Sequence, residues 1–134
     1  RAADLARRAK ALDHLLRLLR TKRSELAQRL REPLQRHLNH YLHILFPGAN
    51  IEVGENLAPT MLTRPMAGGS ESGAFEDLSM GEREQMGIIA RLAYADLLAE
   101  AGKPTLIILD DALVHSDADR VGRVLHGLLP PADV

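Results

Sequence analysis

The feature that most limits how this chain can fold is a run of four large aliphatic residues, Leu106 to Leu109, that leads directly into Asp110 and Asp111. A short apolar run that follows Lys103-Pro104 is typical of a buried strand in a parallel sheet. In open parallel sheets, ligands bind beyond the carboxyl ends of the strands. The run therefore predicts an α/β fold that delivers two carboxylates to a ligand-binding edge.

Asp110 and Asp111 are adjacent carboxylates, which repel each other unless a cation or a proton lies between them. A divalent metal, with a phosphate beyond it, would stabilise such a pair. From the residues alone, the alternative is that the two carboxylates merely end the strand at the edge of the sheet.

Length and composition limit the class of protein. With 134 residues, the chain is one domain or part of one. It has no cysteine, so disulfides and thiolate metal sites are excluded. A chain of this kind is suited to a reducing compartment. No apolar run approaches the roughly 20 residues of a membrane span, and no signal peptide occurs, so we expect a cytoplasmic protein without membrane contact. Because the sequence begins at Arg1 within a helical pattern, we expect a piece of a longer chain.

Charge is divided unevenly along the chain. Residues 1–46 hold 11 Lys/Arg and 4 Asp/Glu, a net charge of +7, whereas residues 47–134 hold 6 and 14, a net charge of −8. A basic arm joined to an acidic globular part suits contact between the arm and nucleic acid. The alternative is an exposed helix with solvated arginines, since long Arg side chains are common on such helices.

Residues 1–31 contain no Pro or Gly and predict one long helix. Eight residues fall at two heptad positions, with Leu5, Leu12, Leu19 and Leu26 at one and Ala9, Leu16, Arg23 and Leu30 at the other. All of them except Arg23 are apolar. This repeat favours a coiled coil whose partner helix lies outside the chain, and a helix packed on its own domain is the alternative. Pro33 predicts the start of a second helix, which Pro47-Gly48 ends. We therefore assign residues 1–46 to an arm with a connecting helix, and residues 47–134 to a globular unit.

Short strands are predicted in the segment that follows the arm. Ile51 to Val53 and Thr60 to Thr63 have the residue types of strands, and a turn lies between them. Residues 64–74 are rich in Gly and Ser, and they predict a mobile loop. A glycine-rich phosphate cradle is the alternative for this loop, but no Gly-Lys-Ser/Thr sequence follows it.

Ser79 and Glu82 stand in the spacing of a capping box. They predict a helix from about Gly81 to Ala101, which Gly102 ends at a position that favours glycine. The apolar run at Leu106 then follows. The order of loop, helix and strand is typical of part of an α/β unit.

Ser116 and Asp117 follow the two carboxylates, and either can cap a last helix that extends to about Leu129. Pro130-Pro131 would end that helix, because proline cannot continue it. His115, just before them, is expected to be an exposed loop residue, with a supporting role beside the site as the alternative.

Taken in order, these segments resemble the ABC-type ATPases, in the form used by the SMC, RecN and SbcC group. The segment Leu78-Ser79-Met80-Gly81-Glu82 is similar to the signature motif of that family. The run that ends at Asp110 is similar to its Walker B strand, and Ser116-Asp117 to its D-loop, at the family's spacing. A coiled-coil arm that leads into these motifs is also the layout of this group. The resemblance covers most of the chain, and residues 75–120 carry its specific part.

The resemblance implies a role for each motif. Residues 78–82, at a helix N-terminus whose free N–H groups suit an anion, would contact the γ-phosphate of an ATP held by a second head. Asp110 would hold Mg²⁺, through a water molecule since this ion keeps much of its hydration. Asp111 would orient or deprotonate the attacking water, although the family usually has the longer Glu there. Ser116 and Asp117 would belong to the nucleotide-binding site, and Asp117 would contact its counterpart across a dimer.

No Gly-x-x-x-x-Gly-Lys-Ser/Thr sequence occurs in the chain. In the family, this phosphate loop lies in the N-terminal half of the head, so the resemblance implies a C-terminal half-head that hydrolyses no ATP alone. The family's switch histidine follows a further strand, and His115 does not fill its position. The implied partners are the N-terminal half of the same head, a second head in a homodimer, and DNA. The implied function is hydrolysis of ATP with Mg²⁺ in DNA repair, segregation or defence.

Two other functions fit parts of the sequence. One is a coiled-coil interaction module whose ATPase motifs have decayed. Met80 within the signature-like segment and Asp111 in place of Glu are consistent with such decay. The other is a metal-dependent phosphohydrolase that uses Asp110, Asp111 and Asp117. The second leaves the signature-like segment unexplained.

Overall fold

The computed structural model describes residues 1–128, which form a mixed α/β arrangement. The elements in chain order are α1 (Ala2–Leu45), β1 (Asn50–Val53), β2 (Pro59–Met66), β3 (Gly69–Ala74), a 3₁₀ turn (Phe75–Asp77), α2 (Met80–Glu100) and α3 (Ala118–Leu128). The three strands form an antiparallel sheet in the order β1-β2-β3. The combination of helices and strands predicted from the sequence is therefore confirmed, but the observed sheet is antiparallel and not the parallel sheet that the sequence predicted. The predicted end of the last helix at Pro130-Pro131 lies outside the described residues.

The first helix is continuous where the sequence predicted two. α1 passes through Pro33 without a break. An interior proline costs about 3 kcal/mol, because it lacks an N–H and contacts the preceding turn. Beyond it, however, Leu34, Leu38 and Leu42 are fully or almost fully buried, and each buried leucine stabilises the fold by about 1.5–3 kcal/mol. The prediction that Pro33 starts a new helix is wrong, because this packing outweighs the cost.

The two halves of α1 have different surroundings. Residues 1–24 are all exposed, including the heptad residues Leu5, Leu12 and Leu19. The buried leucines of the second half join one core with Ile51 of β1 and Ile89 of α2. The apolar face of the first half is thus open to a partner, and the predicted coiled coil stays a prediction. Within residues 1–128, no helix has both the length and the apolar character that crossing a membrane requires.

A hairpin replaces the loop predicted for residues 64–74. β2 continues to Met66 and pairs with β3 from Met66↔Gly69 to Met61↔Ala74. Gly68 and Gly69 have φ values of +111° and +157°, so glycine permits the turn between the strands. The prediction of a mobile loop is wrong, because glycine and serine here supply the turn and an exposed edge strand.

The outer edge of β1 is closed by side chains of α1 and not by another strand. Asn39 Nδ2 donates a hydrogen bond to the Ile51 carbonyl (3.2 Å), and Asn39 Oδ1 accepts one from the Ile51 N–H (2.8 Å). Gln35 Oε1 accepts from the Val53 N–H (3.3 Å), and Arg31 Nε donates to the Val53 carbonyl (2.7 Å). Three residues spaced by four along the helix therefore satisfy backbone groups that an open edge would leave unpaired.

The apolar run before the two carboxylates is extended, but it is not a strand of any sheet in residues 1–128. Leu106 and Ile108 are 83% and 75% exposed, whereas Ile107 and Leu109 are partly buried on the other side. This alternation is that of a strand. The prediction of a parallel-sheet strand is wrong for the described residues, because a strand needs a neighbour for its backbone hydrogen bonds and none lies beside this run.

Candidate functional site

The capping box predicted at the start of α2 is formed. Ser79 is the N-cap residue, and its Oγ accepts a hydrogen bond from the Glu82 N–H (3.4 Å). In return, Glu82 Oε2 accepts from the Ser79 N–H (2.9 Å) and from the Ser79 hydroxyl (2.8 Å). α2 begins at Met80 and ends at Glu100, and Gly102 has a φ of +73°. The predicted limits of this helix are thus confirmed to within one residue.

Arg64 of β2 fixes the same carboxylate to the sheet. Its guanidinium donates to Glu82 Oε1 at 2.5 Å, and it also lies 5.8 Å from the centre of the Phe46 ring. Burial alone would raise the pKa of Glu82, but the hydrogen bonds from Ser79 and Arg64 outweigh it, so this pKa lies below its usual value. Glu82 is therefore a charged group that ties α2 to β2. Sequence reasoning missed Arg64, which lies 18 residues away on a different element.

The other signature-like residues divide into anchors and exposed groups. Leu78 is buried in the core, and Arg83 Nε donates a hydrogen bond to its carbonyl (2.9 Å). Arg83 also donates to the Glu76 carbonyl, which holds the 3₁₀ turn before the helix. The side chain of Met80 is 59% exposed. The segment thus presents Ser79 and Met80 outward from a fixed backbone.

Gly81 lies against the loop that follows the two carboxylates. A Cβ atom placed on Gly81 would be 3.0 Å from the His115 carbonyl oxygen, which is tighter than most real Cβ contacts, so the loop would have to move by a few tenths of an ångström. The absence of a side chain therefore lets the start of α2 approach the segment that resembles a D-loop.

Glu84 holds this loop through its carboxylate. The two oxygens of Glu84 lie 3.1 and 3.0 Å from the His115 backbone nitrogen, which donates to them. His115 Nδ1 donates to Oε1 (2.6 Å), and the Ser116 hydroxyl donates to Oε2 (3.2 Å). Burial would raise the pKa of Glu84, but these hydrogen bonds outweigh it and lower the pKa. Sequence reasoning missed Glu84, because its partners lie 31 and 32 residues further along the chain.

Asp117 caps α3, as its position in the sequence predicted. Its Oδ1 accepts a hydrogen bond from the Arg120 N–H (2.8 Å), and its Oδ2 pairs with Arg120 Nε (3.3 Å). The side chain is largely exposed. The cap leaves Asp117 accessible, so the predicted contact across a dimer stays a prediction.

Asp110 and Asp111 are both exposed and line a groove of about 450 Å³ beside the first turns of α2. The other residues along it are Met80, Arg83, Glu84, Gly87, Arg91, Ile108, Leu109 and Ala112. Asp111 has a φ of +48°, a left-handed conformation that is uncommon outside glycine and that asparagine and aspartate tolerate best. The structure therefore places both carboxylates in one groove with α2.

The donor atoms in this groove fit a divalent cation only in part. Among residues 1–128, no three His, Cys, Asp or Glu side chains converge on one point. Asp110, Asp111 and Asp117 thus do not form the carboxylate centre of a metal-dependent phosphohydrolase. Mg²⁺ is commonly bound by one or two carboxylates together with waters and phosphate oxygens. Two carboxylates alone would leave the rest of the coordination of such an ion to water or to oxygens from outside the chain.

Three mycobacterial proteins are similar to this chain. They are uncharacterized protein Rv1278 of Mycobacterium tuberculosis strain H37Rv, uncharacterized protein MT1315 of M. tuberculosis strain CDC 1551 and uncharacterized protein Mb1309 of Mycobacterium bovis. Each is 34% identical over 124 residues, which cover 91% of this chain and 14% of the relative. The chain therefore spans about a seventh of the length of these relatives. No protein-family model matches the chain, and no solved structure matches it significantly.

Proposed function

We propose that this chain is the C-terminal half of an ABC-type ATPase head of the SMC, RecN and SbcC group, carried at the end of a coiled-coil arm. The protein to which it belongs binds and hydrolyses ATP between two engaged heads. The relatives are about seven times as long as the matched segment. Their remaining length is sufficient for the other half of the head and the returning arm.

The observation that carries this proposal is the meeting of three motif segments at one end of α2. Ser79 and Glu82 form the first turn of the helix, Asp110 and Asp111 line the groove beside it, and the loop at His115 is held by Glu84 and touches Gly81. An ordinary helix cap would account only for the first of these. An ATPase of this family would use all three.

The start of α2 is suited to a phosphate group. A helix N-terminus carries free N–H groups and a partial positive charge that attract anions. The nearby carboxylate of Glu82 would repel an anion, but its pairing with Arg64 offsets that charge. The exposed hydroxyl of Ser79 can exchange its bond to Glu82 for a bond to a phosphate oxygen. This end of the helix would face a nucleotide bound by the second head.

Asp110 and Asp111 have different roles in the proposed site. Asp110 would hold Mg²⁺, and this ion would neutralise negative charge on the transferred phosphoryl group. Asp111 would accept a proton from the attacking water or orient it. Because Asp is one methylene shorter than the usual Glu, the water would need to lie closer to the backbone, and we expect slow hydrolysis.

The exposed run before these carboxylates supports the need for the rest of the head. Leu106 and Ile108 leave an apolar face open, and no described strand pairs with their backbone. Apolar strands of this kind are stable where both faces are covered and both edges are paired. We propose that the N-terminal half of the head supplies the neighbouring strands, together with the phosphate loop and its Lys.

ATP hydrolysis by the full-length protein tests the proposal. We expect Mg-ATP hydrolysis by the wild type, and a loss of about 100-fold or more in kcat with Asp111→Asn, since this change removes the general base. The variant should still bind ATP and should accumulate as a dimer of heads. Asp119→Asn, which removes an exposed carboxylate of α3, is the matched control. A wild-type protein that does not bind ATP would overturn the proposal.

A coiled-coil interaction module with decayed motifs is the second candidate. The exposed Met80 favours it, because a bulky side chain stands where a phosphate would approach the helix. The open leucine face of residues 1–24 would then be the functional surface. This candidate predicts association through the arm in a wild-type protein that binds no ATP.

A further inference from the structure

Glu84 is the group that joins α2 to the loop at residues 115–117. We propose that Glu84 is a positioning residue, which couples the nucleotide-facing turn of α2 to Asp117 so that both move as one unit. This inference rests on the proposed function and assigns a role to a residue outside the resembling motifs.

The carboxylate of Glu84 satisfies three donors at once. It accepts hydrogen bonds from the backbone N–H of His115, from the imidazole of His115 and from the hydroxyl of Ser116. The side chain is only 17% exposed, so these bonds are partly shielded from water. Hydrogen bonds to a charged acceptor are stronger than those between neutral groups. The loop therefore has a strong attachment to the second turn of α2.

A second contact on the same loop residue makes the attachment two-sided. The N–H of His115 is bound by Glu84, and its carbonyl lies against Gly81 one turn earlier. Movement of the loop along α2 would either break the hydrogen bond between the His115 N–H and Glu84 or bring the His115 carbonyl too close to Gly81. Asp117 follows directly and caps α3 through Arg120. A displacement at the start of α2 is thus passed to the start of α3.

The chemistry of the attachment requires a carboxylate. Glutamine at this position would keep one acceptor oxygen, but its amide group would present N–H donors to the donors of the loop. Alanine would remove all of the acceptors. His115→Ala would remove the imidazole bond and leave the backbone bond intact. The expected order of damage is therefore Glu84→Ala, then Glu84→Gln, then His115→Ala.

Steady-state ATP hydrolysis by the full-length protein tests the role of Glu84. We expect Glu84→Ala to lower kcat about 10- to 100-fold, because a displacement of about an ångström that begins away from the reacting atoms can have an effect of this size. KM for ATP and direct ATP binding should change less than about twofold, because Glu84 does not hold the nucleotide. Glu52→Gln, an exposed change on β1, is the control and should match the wild type.

A double-mutant cycle separates coupling from a general loss of structure. If Glu84 acts through His115, the variant with both Glu84→Ala and His115→Ala should have the same kcat as Glu84→Ala alone. Should Glu84→Ala fail to fold, the cycle is made with Glu84→Gln. Multiplied effects in the double variant would overturn the coupling, as would equal losses of ATP binding and kcat.

The same measurements distinguish the two proposals. A wild type that hydrolyses ATP at a rate that Glu84→Ala leaves unchanged overturns the coupling and leaves the ATPase standing. A wild type that neither binds nor hydrolyses ATP overturns both.

Discussion

The carboxylate of Glu82 joins the start of α2 to β2. It caps the first turn of α2 with Ser79 and pairs with Arg64 on β2. Because hydrogen bonds lower its pKa, the bonds made by the charged form stabilise the fold at pH values above about 4.5, and this stability is lost as the pH falls through the lowered pKa. Glu82 therefore lies in the candidate phosphate site and also stabilises the fold. Its substitution would disturb both the site and the stability of the fold.

Gly81 offers a cleaner test of the contact between α2 and the loop. Gly81→Ala places a Cβ 3.0 Å from the His115 carbonyl, so we expect a net loss of about 1 kcal/mol in the free energy of unfolding, as for a mild overpacking. Gly87→Ala is the matched control, because its Cβ would meet only the flexible end of Arg91 at 3.2 Å. It should stabilise the helix by about 0.5–1 kcal/mol. Chemical denaturation measures both, and equal effects would contradict the contact.

Local patterns predicted some residues of the site and missed others. The capping box at Ser79 depends on residues three apart, so the sequence shows it directly. Glu84 and Arg64 bind residues far along the chain, and no periodic pattern marks such pairs. Asp110 and Asp111 were found because two adjacent carboxylates after an apolar run are unusual. The left-handed backbone at Asp111 was not predictable from residue type.

At the scale of elements, polar groups at the edge of the core hold α1 to α2. Tyr41 donates to Asp96 Oδ2 at 2.6 Å, and His37 Nε2 lies 2.9 Å from Glu100 Oε1. These contacts lie near the end of α2, whereas the candidate site lies at its start. Because one helix carries both, α2 is the element through which the arm and the site are connected.

Tyr41→Phe tests this connection and its dependence on pH. Burial and the bond to Asp96 raise the pKa of Tyr41 to about 12, so its contribution to stability is complete below about pH 10 and is lost as the pH rises toward 12. We expect Tyr41→Phe to cost about 1–2 kcal/mol at neutral pH, as for a hydrogen bond to a charged group. The difference from the wild type should shrink between pH 10 and 12.

Denaturation across this pH range measures the effect of Tyr41→Phe. Tyr94→Phe is the control, since the hydroxyl of Tyr94 donates to the Leu57 carbonyl from a more exposed position. A constant difference between Tyr41→Phe and the wild type up to pH 12 would contradict the assignment.

Element boundaries were predictable where a local signal sets them. The cap at Ser79 and the glycine at position 102 give the limits of α2 directly. The break expected at Pro33 failed because buried leucines on the same helix outweigh one missing hydrogen bond. The strand expected for the run Leu106 to Leu109 failed for a different reason. Its own sequence is suitable, but a strand also depends on neighbours that residues 1–128 do not contain.

At the scale of the whole molecule, charge follows the architecture. Residues 1–46 carry a net charge of +7 and residues 47–134 a net charge of −8. α1 accounts for nearly all of the basic segment, and its first 24 residues are exposed. The acidic part contains the groove with Asp110 and Asp111. A polyanion such as DNA would therefore be attracted to the arm and repelled from the proposed catalytic groove.

DNA binding by the full-length protein tests the role of the arm. Lys10 and Arg17 are one heptad apart and lie off both core positions, so Lys10→Gln with Arg17→Gln should leave a coiled coil intact. If both side chains bind phosphates, the affinity should fall and the slope of log K against log salt should decrease by about 0.9 for each phosphate that is no longer neutralised. Arg123→Gln on α3, also exposed, removes one positive charge outside the arm and is the control. Binding that is insensitive to salt, or that the control weakens equally, would show that the basic residues of the arm are solvated and bind no nucleic acid.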